Sequence, residues 1–338
     1  MELAALLNAI KAFPLSLLLP LDRQANSFFR ACFLSALLSQ PFAQRMALSP
    51  MTVEEAAQAL GLTGDEPCLQ AWLDFGVSVK VLARRGDGYM VRRGFPRKLA
   101  LGDEVWRAYF RVRVEIMYRS IIETPRLLTR GLRIDISDAH GELYAQSSRT
   151  VEPLLKGIVR ETAAKLCGPG LLLEAGCGSG VYIKAACAAN KELRAVGLEP
   201  QPSIAALARR NMEKWGLDQR TEIVESGLLQ YHAHESHDLA TLHNMIYYFP
   251  AAERLGLMQH VRELLKPGGQ VLVSTLVQKP APAYQAMNLW SCMNRGSGPL
   301  PKEEEVPALL EQSGFQNIRR EELIPGMWCY WATRPEQN

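Results

Sequence analysis

Apolar residues along this chain are grouped in two ways, and each grouping predicts its own kind of element. From about residue 150 onward they form short runs of strand length. Leu171-Leu-Leu-Glu-Ala-Gly-Cys-Gly-Ser-Gly180 is an apolar run that ends in one carboxylate and then three alternating glycines. That pattern predicts a buried strand turning sharply into a helix, because glycine tolerates positive φ and lets main chain approach a ligand closely. Leu193-Arg-Ala-Val-Gly-Leu-Glu199 is a second buried run ending in an acid, and Asp238-Leu-Ala-Thr-Leu-His-Asn244 and Leu264-Leu-Lys-Pro-Gly-Gly-Gln-Val-Leu-Val-Ser274 are two further apolar runs, without a terminal acid.

The amino-terminal third has mainly helical spacing. Phe28 to Leu38 is apolar nearly all round, as a buried helix would be. Thr52-Val-Glu-Glu55 is a capping box that opens a helix stopped by Gly61, and Pro67 can begin the next one, through Trp72 and Phe75. Val79-Lys-Val-Leu-Ala-Arg-Arg, Gly86-Asp-Gly88 and Tyr89-Met-Val-Arg then read as a two-stranded wing. Val105, Tyr109, Val112, Ile116, Met117, Ser120 and Ile121 recur at helical spacing, which predicts one long connecting helix from Asp103 to about Gly131. Asp135 to Ser148 is polar and is expected to be irregular.

The glycine segment resembles the first motif of the class I S-adenosylmethionine-dependent methyltransferases. In a dinucleotide fingerprint the third glycine stands one place later, where this chain has Val181, and no acid precedes the glycines. The resemblance implies a Rossmann-like seven-stranded α/β domain over 151–338 that binds S-adenosylmethionine. In it Glu174, Gly176, Gly178 and Gly180 hold the cofactor, Glu199 accepts the ribose hydroxyls, and Pro200 follows. Gly227 and Leu228 fall at the adenine position, where the family often has Gly-Asp, and His243 and Asn244, at the end of the fourth strand, also bind the cofactor. The front domain, 1–101, resembles the winged-helix dimerisation domain of small-molecule O-methyltransferases, with 102–150 as a connecting segment.

Those O-methyltransferases place a catalytic histidine in the loop after the fourth strand, where this chain has His243-Asn-Met-Ile-Tyr-Tyr-Phe-Pro250. Alignment puts Tyr247 at the position of the base. A neutral tyrosine with a pKa near 10 is a poor base at neutral pH. Either His243, one helical turn earlier, acts instead, or the acceptor has no proton to lose, as in a thioether. The second option resembles the bacterial enzymes that S-methylate 4-methylthio-2-hydroxybutyrate in dimethylsulfoniopropionate synthesis. It implies that Arg149 holds the acceptor's carboxylate, although pairing of Arg149 with Glu152 is the simpler expectation. Tyr144, Tyr247, Tyr248, Trp290, Asn294 and Trp328, with Tyr330, would surround the acceptor.

Composition narrows the function classes. At 338 residues and 48% hydrophobic, the chain can bury more than one core, and a net charge of +3 gives no argument for nucleic acid. A DNA-binding regulator is the competing class, but the expected recognition helix carries Glu66, Trp72, Asp74 and Phe75 and no basic residue before Lys80. Met1 to Leu21 is apolar but interrupted by Glu2, Lys11 and two prolines, so a short helix packed on a partner subunit is expected rather than a signal peptide. Seven cysteines without a Cys-x-x-Cys pair point to reduced, buried thiols in a cytoplasmic protein. No metal site is expected, and His232, His234 and His237 read as a solvated turn. The expected partners are a small-molecule methyl acceptor and a second copy of the chain, with neither nucleic acid nor a membrane involved.

Overall fold

The structure is a computed structural model and describes residues 15–135, 141–166 and 168–336. It divides into two compact units, residues up to Tyr118 with 146–148, and residues 119–145 with 149 onward. The division falls inside the expected connecting segment.

The first unit is mostly helical: α1 (Leu15–Leu38), α2 (Ala43–Leu48), α3 (Val53–Leu60) and α4 (Glu66–Ser78) precede a hairpin of β1 (Leu82–Arg85) and β2 (Gly88–Val91). The capping box forms as expected: the Glu55 N–H donates to Thr52 Oγ1 at 3.3 Å, and the Thr52 N–H donates to Glu55 Oε2 at 3.0 Å. Gly61, at φ +66°, ends α3. Only part of α1 is buried. Phe33, Leu34, Leu37 and Leu38 enter the core, whereas Phe28 and Phe29 remain exposed, so the helix is amphipathic over the stretch expected to be buried all round. Of the apolar amino-terminal segment, 1–14 lies outside the described residues; Leu17, Leu19 and Leu21 are exposed on α1.

The expected helix over 103–131 is present in three pieces: α5 (Phe95–Leu101) is followed by α6 (Glu104–Arg111), a π-helical turn (Val112–Met117) and α7 (Tyr118–Leu128). The segment expected to be irregular instead contains α8 (Gly141–Ser148), with 136–140 outside the described residues. Cys177, Cys187 and Cys329 are buried thiols; Cys68 is exposed, and Cys167 lies outside the described residues. No described helix is long and apolar enough to cross a membrane.

The second unit is built on a seven-stranded sheet. Its strands are β3 (Leu171–Ala175), β4 (Arg194–Leu198), β5 (Thr221–Val224), β6 (His237–His243), β7 (Leu265–Leu276), β8 (Gln316–Ile324) and β9 (Met327–Thr333), in the order β5-β4-β3-β6-β7-β9-β8. The first five are parallel, and β9 runs antiparallel between β7 and β8. Helices α9 (Glu152–Ala164), α10 (Val181–Ala189), α11 (Pro202–Lys214), α12 (Arg254–Leu264), α13 (Pro282–Met293) and α14 (Glu305–Gln312) complete the unit. Leu155 and Val159 of α9, Ile183 and Ala186 of α10 and Ala205 and Met212 of α11 pack with Leu172, Leu239, Leu272 and Cys329 on one face; α12 and α14 pack with Leu173, Val271, Val273 and Tyr330 on the other. Both faces are covered, which is why β3 and β4 read as unbroken apolar runs.

This strand order fixes where a ligand goes. From β3 the chain steps outward through β4 to β5, then returns to β6 on the other side of β3 and continues to β7. The reversal lies between β3 and β6, and open α/β sheets bind ligands at that point, outside the carboxyl ends of the strands.

Candidate active site

The glycine loop leaves β3 at the reversal point. Gly176, Gly178 and Gly180 have φ of +67°, +54° and +78°, a region that strains any other residue except occasionally Asn or Asp. The positions differ in what surrounds them. A Cβ at Gly178 would meet nothing within 4 Å, whereas one at Gly180 would lie 2.0 Å from Met212 Cε. Gly178 borders open space, and Gly180 is needed for packing as well as for its backbone angle.

Glu199, just past the end of β4, is tied to this loop. Its Oε2 accepts the Gly178 N–H and its Oε1 the Gln201 N–H, each at 3.1 Å. Burial raises its pKa while these two donors lower it, with burial the larger effect. A carboxylate held this way keeps lone pairs for a vicinal diol. Pro200 is exposed beside it. Gly227 has an ordinary φ of −77°, and Leu228 is a core residue whose carbonyl accepts from His260 Nε2 at 3.0 Å.

Glu174 is placed differently. It is 1% exposed, and neither carboxylate oxygen has a partner among the described residues. Burial raises its pKa well above the usual carboxylate range. An unpaired buried carboxylate costs several kcal/mol. Its two vacant oxygens fit the cationic ammonium of an amino-acid ligand, and with the open space at Gly178 and the anchored Glu199 they fit S-adenosylmethionine. That molecule supplies a methyl group on a sulfonium when bound. The protein's part is to align a nucleophile behind that methyl and exclude water.

His243 ends β6 beside it. It therefore stands at a strand end, and Asn244 separates it from the turn that carries Tyr247, so it is not one helical turn before that residue. Its Nδ1 lies 2.7 Å from Ser274 Oγ, and its buried Nε2 has no partner among the described residues. Burial lowers its pKa to about 3. Asn244 takes a φ of +53°, its N–H donates to the Ser274 carbonyl at 2.7 Å, and its Oδ1 is buried without a partner among the described residues. The Tyr182 ring, on the first turn of α10, lies 4.6 Å from the His243 ring. Tyr182 and Ser274 are absent from the residues singled out in the sequence, although Tyr182 follows the glycine loop by only two positions.

A group of aromatic rings stands nearby in the chain. Tyr247 and Tyr248 occupy the turn after β6, with ring centres 5.1 Å apart. Tyr248 meets Trp290 of α13 edge-on at 6.3 Å, and Trp290 Nε1 donates to the Tyr144 hydroxyl at 2.8 Å. Tyr247 is 4% exposed, and burial raises its phenol well above the usual value. Asn294 caps α13, with Nδ2 donating to the Trp290 carbonyl at 2.8 Å and Oδ1 buried without a partner among the described residues.

Three expected residues stand apart from this group. Register partners share a sheet face, so Cys329 lies on the side of His243 and Ser274, while Trp328 and Tyr330 point to the other side. Tyr330 is fully buried and donates to the Glu303 carbonyl at 3.1 Å, which makes it a core residue rather than part of an acceptor cage. Trp328 packs on it at 6.2 Å. Arg149 pairs with Glu152 at 2.9 Å, and Glu152 also receives Lys156. His237, expected in a solvated turn, is fully buried at the start of β6, with Nδ1 3.0 Å from the Leu264 carbonyl.

Residues 173–271 match the family model of methyltransferase domains. The protein is a methyltransferase, and S-adenosylmethionine is its methyl donor. Solved structures of similar fold include the mitomycin 7-O-methyltransferase, at 19% identity and a TM-score of 0.74 over 98% of this chain and 100% of that one. An O-methyltransferase family protein from Burkholderia thailandensis follows, at 15% identity and a TM-score of 0.71 over 95% and 99%. Human N-acetylserotonin methyltransferase in complex with S-adenosylmethionine is similar at 16% identity and a TM-score of 0.68 over 94% and 97%. No curated protein sequence matches the methyltransferase significantly.

Proposed function

We propose that the enzyme O-methylates a small, flat hydroxylated metabolite, aromatic or polyketide-type, whose hydroxyl ionises near neutral pH. The observation that carries this reading is a wall of rings without a competent base among the described residues. Tyr144, Tyr248 and Trp290 pack as a cluster of rings suited to a planar acceptor, burial raises the phenols of Tyr144 and Tyr247, and burial lowers the His243 pKa to about 3, which makes its neutral imidazole a poor base. A nucleophile in such a site has to arrive already ionised. The likeness to O-methyltransferases acting on small molecules supports the same choice.

The missing base also favours a second reading, S-methylation of a thioether acid such as 4-methylthio-2-hydroxybutyrate. A thioether sulfur has a free lone pair and no proton to lose, and the rings would stabilise the new cation. Against it stands the engagement of Arg149 by Glu152, which leaves its role as a carboxylate clamp without support. Incubation with methyl-labelled cofactor and a panel of acidic phenols, ordinary phenols and thioether acids decides between them. Label on acidic phenols supports the first reading. Label on thioether acids alone overturns it in favour of the second.

The first unit fits a dimerisation role. Leu17, Leu19, Leu21, Phe28 and Phe29 expose apolar surface along α1, and a second copy of the chain would cover it. Light scattering that gives a monomer mass at micromolar concentration would reject this assignment. A DNA-binding role has less support, since Arg84 of the hairpin is tied to Asp74 of α4 at 2.6 Å.

A further inference from the structure

We propose that His243 is a fixed hydrogen-bond donor to the carboxylate at the amino-acid end of S-adenosylmethionine, and that Ser274 is the positioning residue that holds its proton on Nε2. This rests on the methyltransferase assignment and, of the two roles expected for His243, base and cofactor contact, specifies the second.

The tautomer follows from where the hydroxyl proton of Ser274 can go. Ser274 is fully buried, and among the described residues the one hydrogen-bond partner of its Oγ is His243 Nδ1, at 2.7 Å. If Nδ1 carried the ring proton, it would donate to Oγ and the hydroxyl proton would be left buried without an acceptor. If the hydroxyl donates to Nδ1, the ring proton sits on Nε2. Each arrangement leaves one buried donor unpaired, but the first also strands the Nε2 lone pair, so the second, with a single unpaired group, is preferred. Among the described residues it leaves only the Nε2–H without a partner, beside the position where the cofactor belongs. Ser274 also accepts the Asn244 N–H through its carbonyl, so it fixes both the His243 ring and the turn that follows.

The direction of that donor comes from the sheet. Glu174 pairs in register with Thr241, and His243 lies two residues further along the same strand, so both side chains stand on one face at the reversal point. Their Cα atoms are about 8 Å apart for a strand spacing near 4.8 Å and a rise near 3.3 Å per residue. The Tyr182 ring packs on the His243 ring, with centres 4.6 Å apart, and helps to fix its orientation. An acceptor-only group and a donor-only group flanking one space are complementary to the ammonium and carboxylate of a single amino-acid moiety.

The test compares two ligands by titration calorimetry: S-adenosylhomocysteine, which carries the amino-acid end, and 5′-methylthioadenosine, which lacks it. Ser274→Ala and His243→Phe are expected to weaken S-adenosylhomocysteine at least about ten-fold and leave 5′-methylthioadenosine unchanged, since charge-assisted hydrogen bonds carry that order of free energy. Ser274→Thr, which keeps the hydroxyl, is expected to restore the affinity. Nitrogen NMR of the S-adenosylhomocysteine complex is expected to show the proton of His243 on Nε2. Equal weakening of both ligands would mean a merely structural role and overturn the proposal, as would unchanged S-adenosylhomocysteine affinity or a proton on Nδ1. If the wild-type protein bound neither ligand, the cofactor assignment itself would fall.

Discussion

His243 and Ser274 are register partners on β6 and β7, and the Nδ1 of one lies 2.7 Å from the Oγ of the other. Burial keeps the imidazole neutral, with a pKa lowered to about 3. The unfolded chain takes up a proton on this residue below about pH 6.5, and the folded chain does not until near pH 3. The resulting stability is complete above the unfolded value and is lost as pH falls from about 6.5 toward 3, by up to about 1.4 kcal/mol per pH unit. Urea midpoints at pH 7, 6 and 5 should fall more steeply for the wild type than for His243→Asn. Parallel pH profiles would contradict the buried neutral histidine.

Glu174 acts in the opposite sense. Its folded pKa lies above its unfolded one, so its contribution to stability is complete at acidic pH and is lost as pH rises through the folded value. At neutral pH the ligand-free protein carries that cost. Glu174→Gln removes the charge with almost no change of shape, and should stabilise the ligand-free protein by about 1–3 kcal/mol. The same change should weaken S-adenosylhomocysteine at least about ten-fold, because the ammonium loses its carboxylate. Thermal melts with and without ligand check both halves. A melting temperature that falls in the ligand-free state would mean that Glu174 has a partner in the fold.

These two residues also show how far the sequence could be read. Both end apolar runs of strand length, and the glycines after Glu174 announce their turn locally. The pairing of His243 with Ser274 depends on how β6 and β7 register across 31 residues of chain, which no local pattern encodes. The face that Trp328 and Tyr330 take is hidden from the sequence for the same reason, since a strand's inward face is set by its neighbours. Gly141–Ser148 reads as polar and irregular because the segment has no clear apolar stripe, yet it forms a helix and brings the Tyr144 hydroxyl to Trp290. Arg149 and Glu152 were legible as a pair because they stand three residues apart.

The glycine loop separates binding from stability. Gly178→Ala adds a methyl group where nothing lies within 4 Å, at a φ of +54°. Its stability cost should be limited to about 1 kcal/mol of backbone strain, while the added Cβ enters the space left for the cofactor. Gly180→Ala instead drives a Cβ to 2.0 Å from Met212 Cε. It should lose more stability, by about 1–3 kcal/mol, and Met212→Ala should recover part of that loss. Urea unfolding paired with S-adenosylhomocysteine titration distinguishes the two. Equal stability losses for both variants would remove the distinction.

The rings at Tyr144 and Trp290 make the last expectation, which concerns the acceptor. Trp290 is 3% exposed, and its Nε1–H donates to the Tyr144 hydroxyl at 2.8 Å. Tyr144→Phe keeps the ring and deletes the acceptor, leaving the indole donor without that partner at a cost of about 1–2 kcal/mol. Trp290→Phe removes the donor and part of the wall. If these rings position the acceptor, both variants raise KM for it several-fold while the affinity for S-adenosylhomocysteine stays as in the wild type, because Glu174 and Glu199 are untouched. If they only fill the core, both changes lower the melting temperature and leave the acceptor KM unchanged. Steady-state kinetics on the labelled acceptor, with cofactor saturating, reads the difference directly.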